Sequence, residues 1–151
     1  MHSSNISIDV PHVKAGQSWS TAHLLSDDKH SRRIMQLLLM SEIGYQRVTI
    51  FEHSSDFLNR VKAPDPAPEL IFLDIHVTPH DGFEMLRMLR STPSFEHTRI
   101  VALTASVMNE EVQSLQDAGF DGCIAKPLNI ALFPQQIREI MRGEPIWSIA
   151  G

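Results

Sequence analysis

The chain has 151 residues, a mass of 17.0 kDa, 42% hydrophobic and 21% charged residues, and a formal charge of −5. That mix excludes a disordered or collagen-like chain, and the length suits one domain able to bury its own core. The acidic balance argues against nucleic acid as a partner. The single cysteine excludes an intrachain disulfide and points to a reducing compartment. No apolar run approaches the roughly 20 residues of a membrane span, and the polar start MHSSNISIDVPHVK lacks a signal-peptide core. The expectation is one soluble, cytoplasmic domain with no membrane association.

Residues 1–21 carry no sustained period and are expected to form a flexible N-terminal arm. Thr21-Ala22-His23-Leu24-Leu25 is the first strand candidate, stopped by Ser26-Asp27-Asp28. Apolar residues from Ile34 to Met40 predict a helix over 31–43 with a broad buried face and a C-cap at Gly44. Arg47–Phe51 is β-branched and strand-like, and a short helix is predicted from Ser55 to Val61 before the proline-rich loop 63–68. Leu70-Ile71-Phe72-Leu73, ending in Asp74, is a continuous apolar run of the kind that parallel sheets bury on both faces. Phe83, Leu86 and Leu89 mark the next helix, and Ile100–Leu103, ending in Thr104, the next strand. Val112, Leu115 and Ala118 give a helix closed by Gly119. Gly122–Ala125 is the last strand, ending in Lys126-Pro127, and Ile137, Ile140 and Met141 lie on a final helix with Pro134 in its first turn and Gly143 at its end. Five alternations of strand and helix predict a doubly wound α/β domain with a five-stranded parallel sheet over 22–142, followed by a short tail, 143–151.

Ligands of such sheets bind beyond the carboxyl ends of the strands. There the sequence places Asp27 and Asp28, Asp74, Thr104 and Lys126. Three carboxylates converging on one point require a cation, and hard Mg²⁺ takes oxygen ligands plus waters. A lysine and a threonine hydroxyl suit phosphoryl oxygens, and a strand-end aspartate can attack phosphorus. The combination is the chemistry of phosphoryl transfer.

The ordered set LLSDD at 24–28, LIFLD ending at Asp74, VALTA ending at Ala105 and AKP at 125–127, with Asp81-Gly82 and the AGF-D-G stretch, resembles the receiver domain of bacterial two-component response regulators. The resemblance implies the flavodoxin-like receiver fold with strand order 2-1-3-4-5. It implies Asp74 as phosphoacceptor, Asp28 as direct Mg²⁺ ligand, Asp27 acting through water, and His76 lending its backbone carbonyl. Thr104 and Lys126 would contact the phosphoryl group, and the Lys126–Pro127 bond would be cis. The donor would be a phosphohistidine on a sensor histidine kinase or histidine phosphotransfer protein. The output would be a protein contact on the face of the fourth helix, fifth strand and fifth helix, with Val112, Gln113, Gln116, Gln136 and Arg138 lining it, in a monomer or weak dimer. Such a domain catalyses only its own phosphorylation and dephosphorylation. Neither the arm nor the tail is long enough for an output domain, so a relay or adaptor role is expected.

Three departures stand out. Cys123 occupies a switch position where the family usually has an aromatic; it is read as a small buried side chain, with redox sensing as the alternative. The loop after Asp74 reads IHVTPHDG, with Val77-Thr78 where Met-Pro is common and the proline displaced to Pro79. His76 and Ser106 stand where the family tunes loss of the phosphoryl group. The other histidines, His23 among them, lack metal-ligand spacing and are read as surface residues, and Trp19 and Trp147 flank the domain. Two alternatives remain: a phosphorylation-independent pseudo-receiver, and a haloacid-dehalogenase-type phosphohydrolase. The latter would need a second aspartate where this chain has His76.

Overall fold

The structure, a computed structural model, describes residues 6–9, 21–61, 67–77, 80–105 and 108–147. In chain order it contains β1 (Ile6–Asp9), β2 (Thr21–Leu25), α1 (Lys29–Leu38), β3 (Arg47–Phe51), α2 (Ser54–Val61), β4 (Leu70–Asp74), α3 (Gly82–Arg90), β5 (Arg99–Thr104), α4 (Asn109–Ala118), β6 (Gly122–Ala125), α5 (Phe133–Met141) and β7 (Ile146–Trp147). A π-helical turn, Leu39–Ile43, continues α1 and ends at Gly44, whose φ of 97° is one that glycine adopts without strain.

The five expected strands form a parallel sheet in the order β3-β2-β4-β5-β6, the expected 2-1-3-4-5. The sheet nevertheless has seven strands. β1 adds antiparallel to β3, with Ile6 opposite Ile50, and β7 adds parallel to β6, with Cys123 opposite Trp147. Part of the expected arm and part of the tail are therefore strands. Four and two residues are too few for a hydrophobic period to announce them. The rest of the arm and residues 148–151 lie outside the described residues.

Alternation along the strands sends side chains to two opposed cores. Leu25, Phe51, Ile71, Leu73, Ile100 and Ala102 pack with Phe57 of α2, Met85, Leu86 and Leu89 of α3 and Leu115 of α4. Ala22, Leu24, Val48, Leu70, Phe72 and Val101 pack with Met35 of α1 and Phe133, Ile137 and Ile140 of α5. All five residues of β4 are buried, which is why its sequence is apolar up to the aspartate that ends it. Full burial of each large apolar side chain contributes about 1.5–3 kcal/mol relative to exposure.

His23 is a correction to the surface reading. It lies buried on β2, with Phe51 at 5.4 Å and Phe57 at 6.2 Å between ring centroids, both edge-on. Asp121, in the AGF-D-G stretch, has a structural role: its Oδ2 accepts from the Ile100 amide at 2.8 Å and from Arg90 at 2.6 Å, tying the start of β6 to β5 and α3.

Candidate functional site

Asp74 ends the most deeply buried strand and is itself 1% exposed. A buried carboxylate requires donors, and three stand among the described residues. Lys126 Nζ donates to Oδ2 at 2.6 Å, Ser26 Oγ donates to the same oxygen at 3.2 Å, and the His76 backbone N–H donates to Oδ1 at 3.0 Å. Lys126 reaches it from the end of β6, where its own amide donates to the Thr104 carbonyl at 2.9 Å. The Lys126–Pro127 peptide is cis. Thr104 is buried at the end of β5, and the His76 side chain is exposed.

Gly82 explains the Asp81-Gly82 pair. A Cβ there would lie 2.9 Å from Ile75 Cδ1 and 3.2 Å from the Asp74 carbonyl oxygen, so glycine lets α3 start close to the end of β4 without displacing its neighbours. Asp81 caps that helix, its Oδ1 accepting from the Glu84 amide at 2.9 Å.

The acidic pair after β2 is arranged differently from the expectation. Asp28, expected as the direct cation ligand, is the N-cap of α1. Its Oδ1 accepts from the amides of His30 at 3.1 Å and Ser31 at 3.4 Å, and its Oδ2 accepts from Ser31 Oγ at 2.7 Å. The Ser31 hydroxyl bond is the main influence holding the Asp28 carboxyl below its ordinary value; burial opposes it, and the two amides and the charge of Lys126 assist. A helix start leaves amides without partners, and the nearest carboxylate supplies them. Asp27, expected to act behind a water, is the exposed member of the pair.

Ser26, the polar residue that stops β2, touches Asp74 directly. It is 0% exposed and fixed from four directions. Its amide donates to the Phe51 carbonyl at 3.1 Å, its carbonyl accepts from Arg32 at 2.8 Å, its hydroxyl accepts from the Asp28 amide at 3.1 Å, and that hydroxyl donates to Asp74. Arg32 continues to Glu52 at 3.3 Å. The expected three-carboxylate cluster is thus not assembled: among the described residues no three His, Cys, Asp or Glu side chains are grouped to hold a metal. The candidate ligand atoms at the strand ends are all oxygens, the carboxylates of Asp27 and Asp74 and the nearby backbone carbonyls, beside the Lys126 ammonium. Such a set fits Mg²⁺, which keeps several waters and takes few protein ligands.

A family model described as the response regulator receiver domain matches residues 23–138. The chain belongs to the response regulator receiver family. This receiver is 29% identical over 111 residues to hybrid signal transduction histidine kinase D of Dictyostelium discoideum, a match covering 70% of this chain and 7% of the kinase. It is 25% identical over 79 residues to the polar-differentiation response regulator DivK of Brucella anthropi, covering 52% of this chain and 64% of DivK. Its fold matches the chemotaxis response regulator CheY4 of Vibrio cholerae with a TM-score of 0.73 at 20% identity, over 82% of this chain and 99% of that one. The receiver therefore spans a small fraction of the hybrid kinases and most of the chemotaxis regulator.

The receiver's Cys123 is fully buried and unpaired by any disulfide, and burial pushes its thiol up to about 11. Trp147, opposite it on β7, packs against the same core cluster. On the expected output face, Gln113 and Gln116 are exposed. Val112 is a correction: it is 7% exposed and belongs to the core. Arg138 is turned toward the end of α1, donating to the Glu42 carbonyl at 3.0 Å. Between α4 and α5, the outer edge of β6 is paired with Ile146 and Trp147. Thr78, Pro79 and Ser106 lie outside the described residues. No helix among the described residues is long and apolar enough to cross a membrane.

Proposed function

We propose that this receiver accepts a phosphoryl group on Asp74 from a phosphohistidine donor and switches a protein contact in response. The observation that carries the reading is the buried Asp74 carboxylate at a strand end, held at 2.6 Å by the ammonium of Lys126. A carboxylate oxygen of Asp74 attacks phosphorus, a P–O bond forms, and the donor's P–N bond breaks with its electron pair returning to the imidazole. Lys126 moves its charge from the carboxylate to a phosphoryl oxygen, and Thr104, one strand nearer, donates its hydroxyl to another. Asp27, Asp74 and the His76 carbonyl would hold Mg²⁺, which would supply charge neutralisation when bound.

Receivers interact with histidine kinases, and the hybrid kinases of Dictyostelium carry a region like this one. A histidine kinase or a histidine phosphotransfer protein is therefore the proposed donor. The proposed readout surface is the face of α4, the β6–β7 edge and α5. The proposed role is phosphoryl relay or adaptor binding in the cytoplasm, with catalysis limited to the domain's own phosphorylation and dephosphorylation.

The test is incubation with Mg²⁺ and acetyl phosphate followed by intact-mass measurement. One added phosphoryl group, absent in Asp74→Asn, is expected. No adduct on the wild type would favour a phosphorylation-independent module. Continuous phosphate release from unrelated monoesters would favour a hydrolase.

A further inference from the structure

We propose that Ser26 sets how strongly the site around Asp74 attracts a divalent cation: its buried hydroxyl holds Asp74 without adding charge, at a place where a carboxylate would add a second negative charge beside Lys126. The inference rests on the reading of Asp74 as the acceptor in a cation-assisted site.

The position is built, not incidental. Backbone and side chain of Ser26 make four hydrogen bonds to β3, α1, the Asp28 amide and β4, and no surface of the residue reaches solvent. Its one hydroxyl proton goes to Asp74 Oδ2, and one lone pair is taken by the Asp28 amide. The buried group of Asp74, Lys126 and Ser26 therefore sums to zero charge before any cation arrives. Asp28 adds its charge from one turn away, from a carboxylate held by three donors of α1 and stabilised in part by Lys126. Asp27 brings an exposed negative charge. A carboxylate at position 26 would sit against Asp74 Oδ2, now 3.2 Å from the hydroxyl, and two such carboxylates beside one lysine leave an uncompensated negative charge that favours a cation. Ser26 is thus a positioning residue whose neutrality tunes cation affinity.

Isothermal titration of the wild type, Ser26→Asp, Ser26→Asn and Ser26→Ala with Mg²⁺ alone tests this without any phosphoryl transfer. Ser26→Asp is expected to bind Mg²⁺ at least tenfold more tightly than wild type, and Ser26→Asn, of the same size but neutral, to stay within threefold. Equal affinity in Ser26→Asp and wild type overturns the proposal, as does equal tightening in the asparagine variant. If Ser26→Asp folds only with Mg²⁺ present, that linkage supports the proposal. If it does not fold at all, Ser26→Ala decides. An affinity within threefold of wild type is expected there, because the hydroxyl serves Asp74 rather than the ion; a tenfold loss would make Ser26 itself a ligand and overturn the idea. The acetyl phosphate adduct on wild type separately reports the acceptor reading. An adduct without Ser26→Asp tightening sinks only the role of Ser26, and tightening without an adduct sinks only the acceptor.

Discussion

Replacing Asp28 by alanine separates a helix cap from a metal ligand. The substitution removes the acceptor of two amides at the start of α1 and of the Ser31 hydroxyl. Loss of an N-cap carboxylate costs about 1 kcal/mol, with a range of about 0.5–2. Ser31 is 6% exposed, so its hydroxyl loses a partner where water reaches it poorly, which adds about 1 kcal/mol. The total of about 2 kcal/mol corresponds to a fall in Tm of about 4–8 °C for a chain of this size. Thermal unfolding followed by circular dichroism measures it, and titration with Mg²⁺ on the same samples should give a Kd within threefold of wild type. The pH dependence has a definite sign. The Asp28 carboxyl is held below its ordinary value of 3.8, chiefly by the Ser31 hydroxyl, so its contribution is fully present above about pH 3.8 and is lost as pH falls through the lower folded value. The Tm gap between wild type and Asp28→Ala should therefore be constant from about pH 5 to 8 and close in stronger acid. A variant with unchanged Tm and a tenfold weaker Mg²⁺ affinity would refute the cap assignment and restore Asp28 as a ligand.

Gly122→Ala places a Cβ 3.0 Å from the Ile146 carbonyl oxygen and 3.1 Å from Ile140 Cδ1, an overpacking that costs about 1–3 kcal/mol and should displace β7. A red shift in tryptophan emission, absent when Trp147 is also replaced by phenylalanine, is the expected readout; unchanged emission in Gly122→Ala would show that β7 tolerates the methyl group. Cys123 should resist a thiol reagent such as dithionitrobenzoate at pH 8 in the native protein and react on unfolding, because burial raises its thiol to about 11; native labelling at the rate of free cysteine contradicts the buried placement. Lys126→Met strands the Asp74 carboxylate with two neutral donors and should lower stability by about 3 kcal/mol in urea unfolding. The double variant with Asp74→Asn should recover most of that loss, and a single-variant cost below about 0.5 kcal/mol would mean that the pair is not buried as described.

Long elements with a strong period were legible from sequence alone. The apolar run Leu70–Leu73 announced a strand covered on both faces, and Gly44, Gly119 and Gly143 marked helix ends where positive φ is found. The Asp74–Lys126 pair was legible because a lone Asp and a lone Lys stand at the ends of two buried apolar runs. The assignment of the Ser-Asp-Asp triplet was not, because three consecutive polar residues after a strand point in different directions, and a shift of one residue exchanges cap, ligand and buried contact. The signal that could have resolved it was Ser31, three residues after Asp28, together with the helical period starting there: an acid immediately before a helix is a cap first. His23 was misread for a related cause. Its neighbours Ala22 and Leu24 are buried on one face, but β2 is central and covered on both, so the alternate position is interior too.

The two short strands have a consequence for how this domain is handled. A parallel sheet ending in β3 and β6 would present two rows of open amides and carbonyls, each a template for pairing with another molecule. Ile6–Asp9 covers four residues of β3 and Ile146–Trp147 covers Gly122 and Cys123 of β6, leaving new margins only four and two residues long. Trimming to residues 22–142 would leave Ser26, Asp74, Thr104 and Lys126 in place and yet reopen both margins. Self-association of such a trimmed domain, with its chemistry intact, is what the edges foretell.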